Sequence, residues 1–320
     1  MQIKFQSNYN MDLLSFLNPL TQDEFYVRHH KEAYDKFHPL LSQQSKENIA
    51  SLTAMFGRTN ITIFFITALS SVPNYATNKV TETLQKKEII LEQCKKSPYD
   101  LTDYLDKIEP MADMGISIIE DLEKNGFYEY WLETQKPVLD ERCRELENYF
   151  SQYDLVSIFE EYKPFPKEGV TIFVSKFQHP HGTKLYFLDD NIIIANVWTN
   201  EFSLTTLFHE LYHPPYDKNE VTESIKILSE KPWVIEAHKN QNENCRYHEL
   251  DGFIEENIVE ALGVHVAYRL GIEKEPYKFF EEHDYGSHVI SPKLFRYLLE
   301  NPKPKEQAFK EYLHKFVCSL

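Results

Sequence analysis

Leu207–Pro214 reads LFHELYHP and contains the pattern H-E-x-x-H, in which His209, Glu210 and His213 occupy the fixed positions. Two histidines four positions apart project from the same face of a helix, so both imidazoles can reach one metal ion. Glu210 follows the first histidine directly, where a carboxylate can serve as the base of a metal-dependent hydrolase. This stretch therefore predicts a zinc site on a helix, with His209 and His213 as ligands.

Short β-branched runs lie just upstream of this helix and predict a small sheet with a hairpin. The predicted strands are Val170–Phe177, Lys184–Leu188 and Ile192–Trp198, and the last two are joined by a turn at Asp189-Asp190-Asn191. The helix itself is placed to begin near Ser203, whose hydroxyl can cap it, and to end at Pro214-Pro215.

The N-terminal half has a different pattern. From the start of the chain to about Tyr162, apolar residues recur every three or four positions, which predicts helices, one of them over Gln44–Val72 with a break at Gly57. A proline-rich segment, KPFPKEG at 163–169, follows and indicates a domain boundary. We expect an α+β, predominantly helical fold with a helical region over residues 1–162 and a catalytic domain over residues 163–320.

The net charge, the apolar stretches and the cysteines limit the classes of function that the sequence allows. A net charge of −16 argues against nucleic acid, because phosphate binding needs a basic surface. The N-terminus lacks the pattern of a secretory signal, and the longest apolar stretch, Ile61–Val72, is too short to span a bilayer, so we expect a cytoplasmic protein with no membrane partner. The four cysteines contain no C-x-x-C pair, so a metal would be bound by histidine and carboxylate.

A third zinc ligand is expected about forty residues downstream, because a catalytic zinc takes three protein ligands and leaves a fourth position for water. Glu255–Tyr268 reads EENIVEALGVHVAY, an apolar helical segment with acidic side chains in it. Glu256 and Glu260 lie one turn apart, so Glu256 can bind the metal while Glu260 accepts the second N–H of a ligating histidine. The alternative is that both glutamates lie on the solvated face of an amphipathic helix.

These pieces resemble the gluzincin metallopeptidases, the zinc peptidases related to thermolysin and neprilysin. In neprilysin-like enzymes the third ligand opens a stretch E-N-I-A-D-x-x-G that A-Y follows; here Glu256–Gly263 reads ENIVEALG, and Ala267-Tyr268 follows. The resemblance implies that Glu256 is the ligand and that Glu260 replaces the usual aspartate beside it. It also implies one zinc ion per chain and a zincin-like fold with its sheet ahead of the H-E-x-x-H helix.

Two further segments resemble the same class. Gly286–Leu299 reads GSHVISPKLFRYLL, which implies that His288 stabilises the tetrahedral intermediate and that Arg296 holds a substrate carbonyl. Tyr285, close to His288 in sequence, is a candidate to share in oxyanion binding. The stretch Ala195-Asn196-Val197-Trp198 is similar to the family's N-A-x-[WY] edge strand with its first two residues exchanged, which implies that Ala195 and Asn196 bind the substrate backbone.

The sequence therefore predicts a zinc-dependent metallopeptidase acting on a peptide or protein substrate, with Glu210 as general base and the N-terminal helices as the other wall of the cleft. An aminopeptidase would need an acidic anchor of the G-x-M-E-N type, which is absent, so an endopeptidase or oligopeptidase is favoured. The alternative is a catalytically inactive or partner-gated zinc-binding protein on the same scaffold, which would bind metal without hydrolysis.

Overall fold

A computed structural model describes residues 3–57, 61–97, 101–178, 182–185, 187–213, 218–242, 245, 247 and 249–320. This part of the chain is mostly helical and contains a four-stranded sheet, which confirms the predicted α+β, predominantly helical class. It divides into two compact units: Met1–Asn148 with Glu168–Trp198, and Tyr149–Lys167 with Thr199–Leu320.

The helices vary widely in length. In chain order they are α1 (Tyr9–Ser15), α2 (Leu17–Leu20), α3 (Glu24–His29), α4 (Lys31–Phe37), α5 (Gln43–Phe56), α6 (Ile61–Ser70), α7 (Val80–Leu84), α8 (Lys87–Lys95), α9 (Ile108–Lys124), α10 (Phe127–Tyr130), α11 (Lys136–Phe150), α12 (Leu155–Phe159), α13 (Asn200–Tyr212), α14 (Lys218–Ser229), α15 (Pro232–Lys239), α16 (Leu250–Arg269), α17 (Pro276–Glu282), α18 (Ser291–Glu300) and α19 (Phe309–Ser319). Shorter 3-10 turns lie at His38–Leu40, Thr102–Lys107 and His283–Gly286, and a π-helical turn at Trp131–Gln135.

The sheet belongs to the first unit. Its strands are β1 (Ile3–Ser7), β2 (Val170–Ser175), β3 (Thr183–Lys184) and β4 (Ile192–Ala195), in the order β1-β2-β4-β3. β1 and β4 both run parallel to β2, whereas β3 is antiparallel to β4. The antiparallel pair confirms the predicted hairpin, although all three predicted strands are shorter than the sequence indicated.

β1 corrects the expectation that the chain is helical from its start to about Tyr162. Ile3 and Phe5 are buried and alternate with the exposed Lys4, which is the period of a strand. Ile3 lies opposite Val170 in a parallel ladder, and parallel strands need a long crossover connection, which the N-terminal helices provide. This pairing groups the sheet with those helices, whereas the boundary placed at residue 162 had grouped it with the H-E-x-x-H helix.

A buried carboxylate on α1 forms hydrogen bonds with the end of β2. Asp12 is fully buried and accepts hydrogen bonds from the Trp131 indole N–H at 2.6 Å, from the Ser175 hydroxyl and from the backbone N–H of Lys176 at 2.7 Å. Burial raises the pKa of Asp12 to about 6, although these donors act in the opposite direction. This carboxylate therefore joins three segments of the first unit.

The predicted break at Gly57 is confirmed. α5 ends at Phe56, and Gly57 has a φ of 78°, a left-handed conformation that favours glycine. Among the described residues, no single helix has the length and apolarity to cross a membrane, and α5 with α6 reaches both only as a pair bent by 90°.

The second unit is organised around α16, a 20-residue helix that is buried on nearly all sides between Phe253 and Ala267. α13, α14 and α18 all pack against it. α13 and α16 approach each other closely at Gly263, where an added Cβ would lie 3.3 Å from both the His209 backbone nitrogen and the Thr205 carbonyl oxygen. Glycine at this position lets the two helices that carry the candidate site approach each other.

Candidate metal centre

Helix α13 presents the H-E-x-x-H pattern. It begins earlier than predicted, because the hydroxyl of Thr199 caps it by accepting from the Phe202 backbone N–H at 3.1 Å, while the predicted cap Ser203 lies inside the helix. The helix ends at Tyr212, and His213 is extended (φ −79°, ψ 141°), as expected of a residue that precedes proline. Pro214-Pro215, the predicted end of the helix, lies outside the described residues.

Three candidate ligands converge at this end of the helix. The Nε2 atoms of His209 and His213 are 3.1 Å apart. The two carboxylate oxygens of Glu256, on α16, lie 3.2 Å from His209 Nε2 and 3.5 Å from His213 Nε2. The structure therefore brings together the residues that the sequence indicated as zinc ligands.

These distances suit a zinc ion. With metal–ligand bonds of about 2.0–2.2 Å, two ligand atoms of a tetrahedral zinc site are separated by about 3.3–3.6 Å. The observed separations of 3.1, 3.2 and 3.5 Å therefore fit a zinc site with little adjustment. Histidine nitrogen with carboxylate oxygen is also a donor set that zinc accepts in catalytic sites.

A buried carboxylate contacts the outer nitrogen of each histidine. His209 Nδ1 lies 3.1 Å from Glu260 Oε2, the contact predicted for Glu260, and His213 Nδ1 lies 3.0 Å from Glu255 Oε1. A carboxylate can only accept, so each Nδ1 donates, and Nε2 is the nitrogen left on each ring to bind a metal. Glu255 was not identified from the sequence. The available signal was that the helical segment EENIVEALGVHVAY begins with two consecutive glutamates, Glu255 and Glu256.

The electrostatics of the centre favour added positive charge. Burial by itself lowers the pKa of both histidines, but Glu256 and Glu255 raise that of His213 to about 9, and Glu256 and Glu260 raise that of His209 well above its usual value. Burial raises the pKa of Glu256, but the two imidazoles outweigh it and hold that pKa well below its usual value. Three carboxylates around two imidazoles thus provide an environment suited to a divalent cation.

The centre is reachable from solvent. The side chains of His209 and Glu256 are 16% and 25% exposed. Within the described part of the chain, this group that could hold a metal consists of three residues, the number that leaves a coordination position open for substrate or water in catalytic zinc sites. Glu210, the predicted base, follows His209 on α13 and is 8% exposed; its catalytic role stays a prediction.

A second group of polar side chains adjoins the first through Glu260. Ligand-type atoms of Glu260, His283 and His288 all lie within 4.8 Å of one another, and His283 Nδ1 is 2.7 Å from Glu260 Oε1. His288 is 2% exposed, and its ring lies 5.5 Å from that of Tyr247. The structure therefore brings His288 to the neighbourhood of the metal centre, and its role in stabilising an oxyanion stays a prediction.

Asn257, next to the proposed ligand, anchors the His288 segment. It is fully buried; its Oδ1 accepts from the Ile290 backbone N–H and its backbone carbonyl accepts from the Ser291 hydroxyl, both at 2.8 Å. Its amide also donates to the carbonyl of Phe253 at 2.8 Å, one turn earlier. The chain just after His288 is in this way tied to the helix that carries Glu256.

Tyr285 and Arg296 lie in the second unit with the metal centre, and both are exposed. Tyr285 is 64% exposed and has a φ of 57° in the turn between α17 and α18. Arg296 is exposed on α18, next in sequence to the buried Phe295. The structure gives no contact that connects either side chain to the metal centre within the described residues, so both assignments stay predictions.

Ala195 and Asn196 lie at the end of β4 in the first unit. Ala195 is buried, and the backbone N–H of Asn196 donates to the Ser175 carbonyl at 2.9 Å. β4 is paired on both sides at Ile192 and Ile193, whereas among the described residues Ala195 pairs with Ser175 of β2 alone, so the role of Ala195 and Asn196 in binding the substrate backbone stays a prediction. Backbone binding of a substrate through the Asn196 N–H would require that bond to Ser175 to break.

Comparisons of the chain with protein-family models, with curated proteins and with solved structures gave no match.

Proposed function

We propose that this protein is a zinc-dependent metallopeptidase, with His209, His213 and Glu256 as the ligands of one zinc ion. The observation that supports it most is the convergence of two Nε2 atoms and one carboxylate at separations of 3.1–3.5 Å. The outer carboxylates Glu260 and Glu255 support it further, since ligating histidines normally donate their second N–H to such a group. The open position and partial exposure favour a catalytic site over a structural one.

A zinc ion bound there would polarise a carbonyl and activate a water molecule. Glu210 would accept the proton of the attacking water and pass it to the leaving amine. His288, with Tyr285 as a further candidate, would donate to the oxygen on which negative charge develops. Arg296, which lies in the same unit as the metal centre, would contact the substrate.

The test of this function is a pair of measurements on wild type and Glu210→Gln. Wild type should bind zinc and cleave peptides, and 1,10-phenanthroline should stop cleavage while the non-chelating 1,7-isomer should not. Glu210→Gln should keep its zinc and lose about 10²–10⁴-fold in rate, because it removes the general base alone. A fully active variant would refute the assignment of Glu210, and wild type that binds zinc without cleaving any peptide would favour the zinc-binding alternative.

Endopeptidase action can be tested separately from catalysis. Since an aminopeptidase depends on a free N-terminal amine, blocking it by acetylation should abolish aminopeptidase cleavage. We expect acetylated and free forms of the same peptide to be cleaved at similar rates.

A further inference from the structure

The carboxylate of Glu260 lies between two imidazoles. Its Oε2 is 3.1 Å from His209 Nδ1 and its Oε1 is 2.7 Å from His283 Nδ1, and the side chain is only 3% exposed. The proposed zinc ligand and His283 thus contact opposite oxygens of the same buried group. His283 therefore helps to determine how the carboxylate is oriented toward His209.

His283 is itself held in place by aromatic contacts. Its ring stacks on Phe279, one turn earlier, with ring centroids 4.9 Å apart and planes at 21°. The ring of Phe202, in the first turn of α13, has its centroid 6.3 Å away. A fixed ring can impose an orientation on the carboxylate that it contacts, which a freely rotating side chain could not.

We propose that His283 is a positioning residue for the zinc ligand His209 and acts through Glu260. This inference rests on the metal centre of the proposed function, but not on peptide hydrolysis. With Oε1 held by His283, Oε2 remains directed at His209 Nδ1, which keeps the proton on Nδ1 and the lone pair of Nε2 toward the metal. Without His283, the carboxylate can rotate about its last bond and that alignment weakens.

Linkage gives this arrangement a second consequence. His283 is the first residue of the turn that leads to Tyr285 and His288. Coupling is reciprocal: if the contact between His283 and Glu260 strengthens metal binding, metal binding must strengthen that contact. Metal binding should therefore slow amide exchange in residues 283–288. Where this exchange occurs through opening of the turn, the slowing factor should equal the factor by which His283 raises metal affinity. The turn and the metal centre would be coupled through Glu260.

The test compares His283→Phe and His283→Asn. Phenylalanine keeps a ring that can stack on Phe279 but has no N–H to offer Glu260, whereas the amide of asparagine places a donor near the position of Nδ1. Zinc affinity is measured by competition with a chromophoric chelator, and the visible spectrum of the cobalt-substituted protein reports the ligand geometry. Thermal unfolding of the metal-free forms serves as the control for folding.

We expect His283→Phe to lose about 10–100-fold in zinc affinity, with an altered cobalt spectrum. The metal-dependent protection of residues 283–288 should also be lost in this variant. His283→Asn should retain most of the zinc affinity of wild type. An affinity unchanged in His283→Phe, or lowered equally in both variants, would overturn the proposal. So would two zinc ions per wild-type chain with one lost in both variants, because His283 would then be a ligand of a second metal. Wild type without zinc affinity would overturn the metal centre and this proposal together, whereas zinc binding without hydrolysis would refute only the peptidase.

Discussion

Replacing Gly263 with alanine tests whether the close crossing of α13 and α16 sets the geometry of the metal centre. The new Cβ would lie 3.3 Å from the His209 nitrogen and from the Thr205 oxygen, which are backbone atoms that cannot rotate away. The helices would have to separate by a few tenths of an ångström. Glu260 and Glu256 lie about one and two turns before Gly263 on the same helix, so this shift moves both of them relative to His209.

The expected stability change is a balance of two effects. Alanine is favoured over glycine inside a helix by about 1 kcal/mol, whereas overpacking a tight contact costs about 1–3 kcal/mol. The net loss in the free energy of unfolding should therefore be up to about 2 kcal/mol in urea titrations of the metal-free protein. Zinc affinity should fall about tenfold or more, because ligand distances tolerate errors of only about 0.2 Å.

Gly252→Ala is the matched control, since Gly252 lies on the same helix and an added Cβ there meets no atom within 4 Å. It should gain stability from helix propensity and leave zinc affinity unchanged. If Gly263→Ala behaves like this control, with higher stability and full zinc affinity, the helix crossing does not constrain the metal centre and the reasoning is refuted.

Other substitutions test the surrounding contacts. Glu255→Leu should lower zinc affinity about 10–100-fold in chelator competition by removing the acceptor of His213, and Glu255→Gln should lose less; equal, unchanged affinities would contradict this. Asn257→Ala deprives the buried Ile290 N–H of its acceptor and should lower the free energy of unfolding by about 1–3 kcal/mol in urea, whereas no loss would show that the N–H finds another acceptor. Burial raises the pKa of Asp12 from 3.8 to about 6, so the folded state retains a proton that the unfolded chain has lost. Between about pH 3 and pH 7 the free energy of unfolding should therefore fall by on the order of 3 kcal/mol more in wild type than in Asp12→Asn, and parallel pH profiles would contradict the raised pKa.

The placement of the candidate ligands followed from local patterns. His209 and His213 share a helix face, and Glu256 and Glu260 are one turn apart on a helix, so helical geometry alone limits which atoms can meet. Their position relative to one another also required α13 to pack on α16, which the family resemblance implied and which the sequence spacing could not establish.

The remaining features depend on contacts between distant segments. β1 pairs with β2 across the whole run of N-terminal helices, and no local pattern identifies that partner. Similarly, which oxygen of Glu260 meets His283 depends on how the turn after α17 folds back, with Tyr285 and Gly286 both at positive φ. The interior position of β4 depends on a two-residue strand, β3, too short to locate reliably from sequence.

The most direct test of the central claim is the zinc content of purified wild type and Glu256→Ala, measured side by side by elemental analysis. We expect one zinc per chain in wild type and much less in the variant, because removal of Glu256 leaves only His209 and His213 as ligands. No zinc in wild type, or the same zinc content in both proteins, would contradict the assignment of these three residues as the metal centre.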